Sequence, residues 1–356
     1  GAAEPRHLPV SIRPVSGTGR ARFGLLSAVV VAASCAGLPD ETAGTPRYGD
    51  EISVAGRLVR TGARVVLWND PGGYDAYRTT RFFAPAEALP SRPEAGTNRP
   101  ERYDVRGVEG LADATRAAVS AHGFGAAELR ARIDQFVVHY DVCGASRRCF
   151  EVLHDIRGLS VHFLLDVDGT IYQTLDVRER ARHAGIANDR SIGVEIAHIG
   201  AYRDFAVLGR WYPLDEGGRR RLLLPPNERG AVRTPDFVGR PAREEPVRRT
   251  IHGVEYVQFD FTNEQYAALE RLLATLHAEF PGLPLEAPRG PEGAVLGRVL
   301  TPEERRAFRG VFGHWHVSAS KQDPGPAFDW ERVLSGARRL AAAASATSAA
   351  SSPAPD

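Results

Sequence analysis

Methionine is absent from all 356 residues, and charge of either sign is hardly in excess: 45 Lys+Arg stand against 44 Asp+Glu, a formal charge of +1. That balance excludes the one-signed field on which nucleic-acid or anionic-surface binding depends, so no nucleic-acid partner is expected. Long apolar runs are missing too. The best candidate, residues 20–35 (RARFGLLSAVVVAASC), is shorter than the roughly 20 apolar residues that a membrane-spanning helix needs.

What is present is enough apolar side chain, 43%, to fill a core, in a chain long enough for two average domains or one enlarged α/β domain. The richest stretch in chemistry is 311–330, VFGHWHVSASKQDPGPAFDW. His314 and Asp323 lie nine residues apart, a spacing that shares no helix face, so they meet across a loop, as metal ligands often do. A third ligand is expected from His139, where the strand-like run Phe136-Val137-Val138 ends in an imidazole. Two histidines and a carboxylate leave zinc (Zn2+) a fourth position for water. His316, two residues from His314, shares its face if 311–317 is a strand, as the pattern suggests.

These pieces belong to an ordered set: VVHYD (137–141), SVHFLLDVDGTIYQTLD (160–176), RARHAG (180–185), SIGVEI (191–196), an amphipathic helix, then GHWHVSASKQDPGPAFDW. Over residues 130–335 or so the set resembles the type-2 zinc N-acetylmuramoyl-L-alanine amidases, which share a fold with peptidoglycan recognition proteins and a phage lysozyme-amidase. The resemblance implies an α/β fold with a central mixed β-sheet flanked by helices. It implies zinc held by His139, His314 and Asp323; His314 is preferred to His316 because the family ligand directly follows a glycine, here Gly313. It also implies that Glu195 is the catalytic proton carrier and Lys321 the lysine facing the zinc.

Taken alone, Glu195 in the apolar strand SIGVEIAHI reads as a member of a structural ion pair, since a buried carboxylate is costly without a partner. The resemblance shifts it to the catalytic role. The recognition-protein branch places a tyrosine elsewhere for this work, where this chain has Val161. His183 and Asn188 lie in a loop and are candidates for substrate binding, against a structural hydrogen bond within that loop. His162 reads as structural. Arg182 replaces an aromatic, and the loop to Asp323 is one residue shorter than in relatives and has Ala319 for proline. Cys143 and Cys149 are placed like the disulfide of the recognition proteins, the alternatives being free thiols or extra zinc ligands.

The remaining organisation is read from composition. Residues 1–19 precede the apolar segment and, with no methionine anywhere, are expected to be a tag, a trimmed terminus or an overlong start. Residues 20–35 have the positive start and small-residue end of a signal peptide. Cys35 is placed as in a bacterial lipoprotein processing site; an ordinary secretory signal is the other reading. A tether spans 36–50. An N-terminal extension, 51–130, should open with a hairpin about Thr61-Gly62 and break at the prolines of 85–100. The amidase domain, 131–337, carries an insertion at 200–261 whose Trp211 and Tyr212 either stack on sugars or pin the loop. Thr262 should cap a helix that Pro281 ends. The tail, 338–356, is expected to be disordered.

The expected activity is zinc-dependent hydrolysis of the amide between N-acetylmuramic acid and L-alanine in peptidoglycan or muropeptides. A non-catalytic peptidoglycan-binding module and a zinc peptidase cutting within the stem peptide are the alternatives. The protein is expected to be an exported monomer at the periplasmic face of the outer membrane, touching membrane only through a lipid anchor, or secreted.

Overall fold

The computed structural model describes residues 47–83, 102–226, 228 and 230–351. The expected signal segment with Cys35, the whole of the 85–100 stretch and most of the expected tether lie outside the described residues. So does the unit Gly1–Asp40, and all that follows belongs to the unit Glu41–Asp356.

The first hairpin, β1 (Glu51–Val54) and β2 (Arg57–Arg60), turns at Ala55-Gly56 and not at Thr61-Gly62. Both turn residues have positive φ, 51° and 79°, the mirror-image turn that suits strand twist. Asp176 holds it in place: its carboxylate accepts hydrogen bonds from the Ala55 and Gly56 N–H groups and from Ser53 Oγ at 2.7–2.9 Å. After Thr61 the chain runs into β3 (Val65–Leu67), an edge strand of the main sheet.

In order follow β4 (Tyr103–Val105), α1 (Asp113–His122), α2 (Ala126–Arg132), β5 (Gln135–Tyr140) and α3 (Ser146–Phe150), which widens into a π-helical turn Glu151–Arg157. Next come β6 (Phe163–Leu165), β7 (Ile171–Gln173), β8 (Glu179–Ala181) and β9 (Ser191–Ile196). The second half holds α4 (Phe205–Gly209), the hairpin β10 (Val247–Ile251) and β11 (Val254–Gln258), α5 (Asn263–Glu279), α6 (Pro302–Ala307), β12 (Gly310–Gly313), α7 (His314–Val317) and α8 (Trp330–Ser351). The central sheet has the order β12-β5-β9-β6-β7-β3 and is mixed, with only β6 and β7 antiparallel. The extension is therefore built into the fold: β3 completes the sheet and β4 pairs with β8.

Alternation sorts the strand residues between two faces. Phe136 and Val138 of β5, Ile192 and Val194 of β9, and Phe163 and Leu165 of β6 enter the core under α5 and α8. His139, Gly193 and Glu195 consequently stand on the other face. Helix α5 starts as expected from Thr262, whose hydroxyl accepts from Gln265 N while the Gln265 side chain accepts from Thr262 N. Helix α8 corrects the expected disorder from 338, because it runs on to Ser351. Buried Val333, Leu334 and Ala337 anchor it, and the alanine-rich continuation has the highest helix propensity of any residue type. Within the insertion Tyr212 is buried against Phe259 and Leu208, so it pins the segment to the domain.

Candidate metal centre and active site

Parallel pairing of β5 with β9 puts His139 opposite Glu195, and Glu195 Oε1 lies 4.0 Å from His139 Nδ1. The neighbouring strand β12 ends at Gly313, so His314 opens α7; the expected strand 311–317 stops short. The reason is local: His316 Nδ1 accepts from Gly313 N at 3.0 Å, and Ser318 N donates to His314 O at 3.0 Å, which closes a helical turn. His316 thereby leaves the face of His314. It is fully buried, donating from Nε2 to Leu296 O at 2.8 Å.

His139 Nδ1, His314 Nδ1 and Asp323 Oδ2 converge, with mutual separations of 3.0, 3.1 and 3.1 Å. Three electron-pair donors this close have too few protons to satisfy one another, and the spacing approaches that of three corners of a tetrahedron with bonds of about 2 Å. Among the described residues this is the group that could hold a metal ion. Burial, with His314 beside it, lowers the His139 pKa to about 4, keeping the ring neutral as a ligand must be. Burial alone would raise Asp323, but hydrogen bonds from both histidines outweigh it and hold the carboxyl well down.

Glu195 is different. Burial first, then the nearby Asp323 and Asp141 carboxylates, raises its pKa well above the ordinary value, and Oε2 has no hydrogen-bond partner. A cation on the triad would draw that value back down. Glu195, His314, Asp323, Lys321 and His183 line a cavity of about 230 Å3, with Arg157 and Arg182 also in its wall.

His183 sits under this site. Its Nδ1 lies 3.0 Å from His139 Nε2 and its Nε2 3.3 Å from Ser191 Oγ. A Cβ on Gly193 would stand 2.5 Å from His183 Nδ1, so the ring is seated where only glycine leaves room. Asn188 Oδ1 accepts from His183 N and Ala184 N at 3.3 and 2.7 Å, closing the loop on itself. Both residues also line a shallower hollow of about 430 Å3 with Arg182 and Ile186. His162 is structural: buried, it accepts at Nδ1 from Gly193 N at 3.1 Å and lies 3.0 Å from Glu179 O.

Cys143 and Cys149 are free thiols and not the expected disulfide. Both pack in the apolar cluster around Phe150 and Leu153. Burial raises both thiol pKa values, and a protonated thiol is a poor partner for disulfide formation.

Two contributors are not among the expected site residues. Asp141 accepts from the N–H groups of Cys143, Gly144 and His198 at 2.9–3.1 Å and is pushed by burial up to about 7. Arg106, fully buried in the extension, donates to the carbonyls of Val177, Asn188, Asp189 and Ser191, fixing the His183 loop from below. No local pattern announces either. Lys321, expected from the resemblance, is the only lysine in the sequence, arginine serving everywhere else. That lysine lines the same cavity as His314 and Asp323, a compact ammonium in a sequence that otherwise uses guanidinium.

Two histidines and an aspartate that could hold a metal ion thus stand beside a glutamate whose Oε2 has no hydrogen-bond partner, at the wall of a cavity. The chain belongs to the N-acetylmuramoyl-L-alanine amidase family, whose sequence profile matches residues 129–326. No curated protein sequence matches it. Among solved structures, AmpD (a selenomethionine derivative) is 17% identical, with 66% of this chain and 89% of AmpD covered and a TM-score of 0.30. AmiD from E. coli, solved with anhydro-N-acetylmuramic acid-L-Ala-D-gamma-Glu-L-Lys, is 20% identical, with 58% and 57% covered and a TM-score of 0.33. The endolysin amidase LysCS from Clostridium intestinale URNW is 15% identical, with 58% and 84% covered and a TM-score of 0.31. Family membership rests on the sequence match and not on these superpositions.

Proposed function

We propose that the protein uses one zinc ion, held by His139, His314 and Asp323, to hydrolyse the amide joining N-acetylmuramic acid to L-alanine in peptidoglycan or muropeptides. The observation that carries this reading is the convergence of three ligand atoms 3.0–3.1 Å apart in a chain of the amidase family. Zinc bound there supplies Lewis acidity, lowering the pKa of water to about 7 and polarising a carbonyl. Glu195, with Oε2 free, takes the proton from the attacking water and returns it to the leaving amine. Lys321 offers its ammonium to the oxygen that gains charge, a contact of a type often contributing about 3 to 4 kcal/mol. His183, placed behind His139, orients that ring through Nε2 and reaches substrate only at the cavity wall.

Product analysis on purified peptidoglycan tests this. The expected result is a new L-alanine amino terminus, an intact glycan and loss of activity with a chelator. New termini within the stem peptide, or active protein without zinc, would overturn it. We also propose export with a lipid on Cys35, supported by the composition of residues 20–35; an unmodified Cys35 in the mass of the mature N-terminal peptide would remove that reading.

A further inference from the structure

The insertion 200–261 reaches the site through the hairpin of β10 and β11, which pairs from Val247↔Gln258 to Ile251↔Val254. At its turn His252, with φ of +52°, donates from Nε2 to the Lys321 carbonyl at 2.9 Å. At its base Gln258, fully buried, donates from Nε2 to Pro324 O at 3.1 Å and accepts at Oε1 from Ala327 N at 2.9 Å. Asp323 lies between these points. The contact is tight: a Cβ on Gly325, which has φ of +85°, would fall 2.2 Å from Gln258 Oε1.

Residues 318–329 have no strand or helical ladder of their own, so beyond a few turn bonds such as Lys321 N to Ser318 O their main chain depends on side chains from elsewhere. A buried amide is costly unless its bonds are made, and those of Gln258 go to the main chain beside Asp323. The hairpin is itself secured, by His252 N donating to Gly297 O at 2.7 Å and by the Tyr202–Val257 bridge to the domain. A hairpin that merely covered surface would not place a buried amide and a turn imidazole on the main chain either side of Asp323.

We infer that this hairpin is a positioning element for the site: Gln258 sets the Asp323 carboxylate for the metal, and His252 sets the main chain of Lys321. The inference rests on the zinc reading above. Its test is zinc affinity of the full chain, by competition with a chromophoric chelator, alongside steady-state kinetics and thermal melting. Gln258→Leu should weaken zinc binding about 10- to 100-fold, the usual cost of losing a group that orients a metal ligand. Gln258→Glu keeps the acceptor for Ala327 N, loses the donor to Pro324 O, and should fall between. His252→Ala should lower kcat with KM and zinc affinity unchanged, and His252→Gln, which carries a donor to the same carbonyl, should restore it. Glu255→Ala, on the exposed face of the same hairpin, is the control. Wild-type protein that binds no zinc overturns the metal reading together with this one. Zinc bound by wild type and equally, within about twofold, by folded Gln258→Leu overturns this inference alone. So does Glu255→Ala weakening zinc as much as Gln258→Leu.

Discussion

His139 and Glu195 stand on adjacent strands in the middle of the sheet, whereas His314, Lys321 and Asp323 come from a single helical turn and the loop after it. In the strand half, main-chain pairing and alternation determine which way each side chain points, and a one-residue slip would bury every polar group in the core. In the loop half nothing comparable exists, and orientation depends on a bond within the segment, Trp315 N to Asp323 O, and on the β10–β11 hairpin, through His252 to Lys321 O and Gln258 to Pro324 O. The halves thus differ in what a mutation can do. Glu195, on its strand, can lose its chemistry while keeping its place, whereas Asp323, in the loop, is a proposed ligand whose change would loosen the metal.

The sharpest test of that difference pairs Glu195→Gln with Asp323→Asn. Glu195→Gln should retain zinc and lose turnover by roughly 100- to 10,000-fold, the contribution typical of general acid-base catalysis. Asp323→Asn should lose zinc itself, because a neutral amide is a poor ligand. Zinc content and cleavage are measured on the same preparations; zinc lost from Glu195→Gln would erase the distinction between the halves.

Next in size is Lys321→Arg. A broad guanidinium in place of the only ammonium should reduce kcat by about 100- to 1,000-fold, as loss of a positioned oxyanion donor does. Zinc affinity should stay, since Lys321 is no ligand. Wild-type turnover in this variant would make the lysine a surface residue.

The smallest effect concerns His198, just beyond β9: Nε2 donates to Phe259 O, next to the end of β11, at 3.0 Å, and Nδ1 accepts from Gly200 N at 2.8 Å. Burial lowers its pKa to about 4, so the folded state binds it neutral while the unfolded chain protonates it near 6.5. Its contribution to stability is present above about pH 6.5 and is lost as the pH falls toward 4. Asp166 works in the opposite sense, since burial raises it to about 8 and that contribution declines as pH rises from 4 to 8. The comparison is therefore between slopes: melting temperature from pH 7 to 4.5 should fall less steeply in His198→Gln than in wild type. Equal slopes would show that His198 carries no part of the acid limb.

Much was readable without coordinates. The apolar run into His139, the glutamate in SIGVEI, the Thr262 cap and the nine-residue gap from His314 to Asp323 are local patterns. Strand alternation and capping are properties of neighbouring residues, so a sequence displays them directly. The ordered motifs likewise announced the amidase family that the profile match establishes. Tertiary structure decided the rest. It moved the first turn to Ala55-Gly56 because Asp176, about 120 residues away, accepts from that turn. It ended β12 at Gly313 and sent His316 into the core, since Leu296 O waits there. It kept helix α8 intact past 338 by docking its first turns on α5, and it held two cysteines as free thiols, Cys149 buried and Cys143 partly so. Above all it brought Arg106 beneath the His183 loop and Gln258 beside Asp323. Each is a polar side chain whose partners are main-chain groups far away in sequence, and such partners leave no mark in composition, periodicity or spacing.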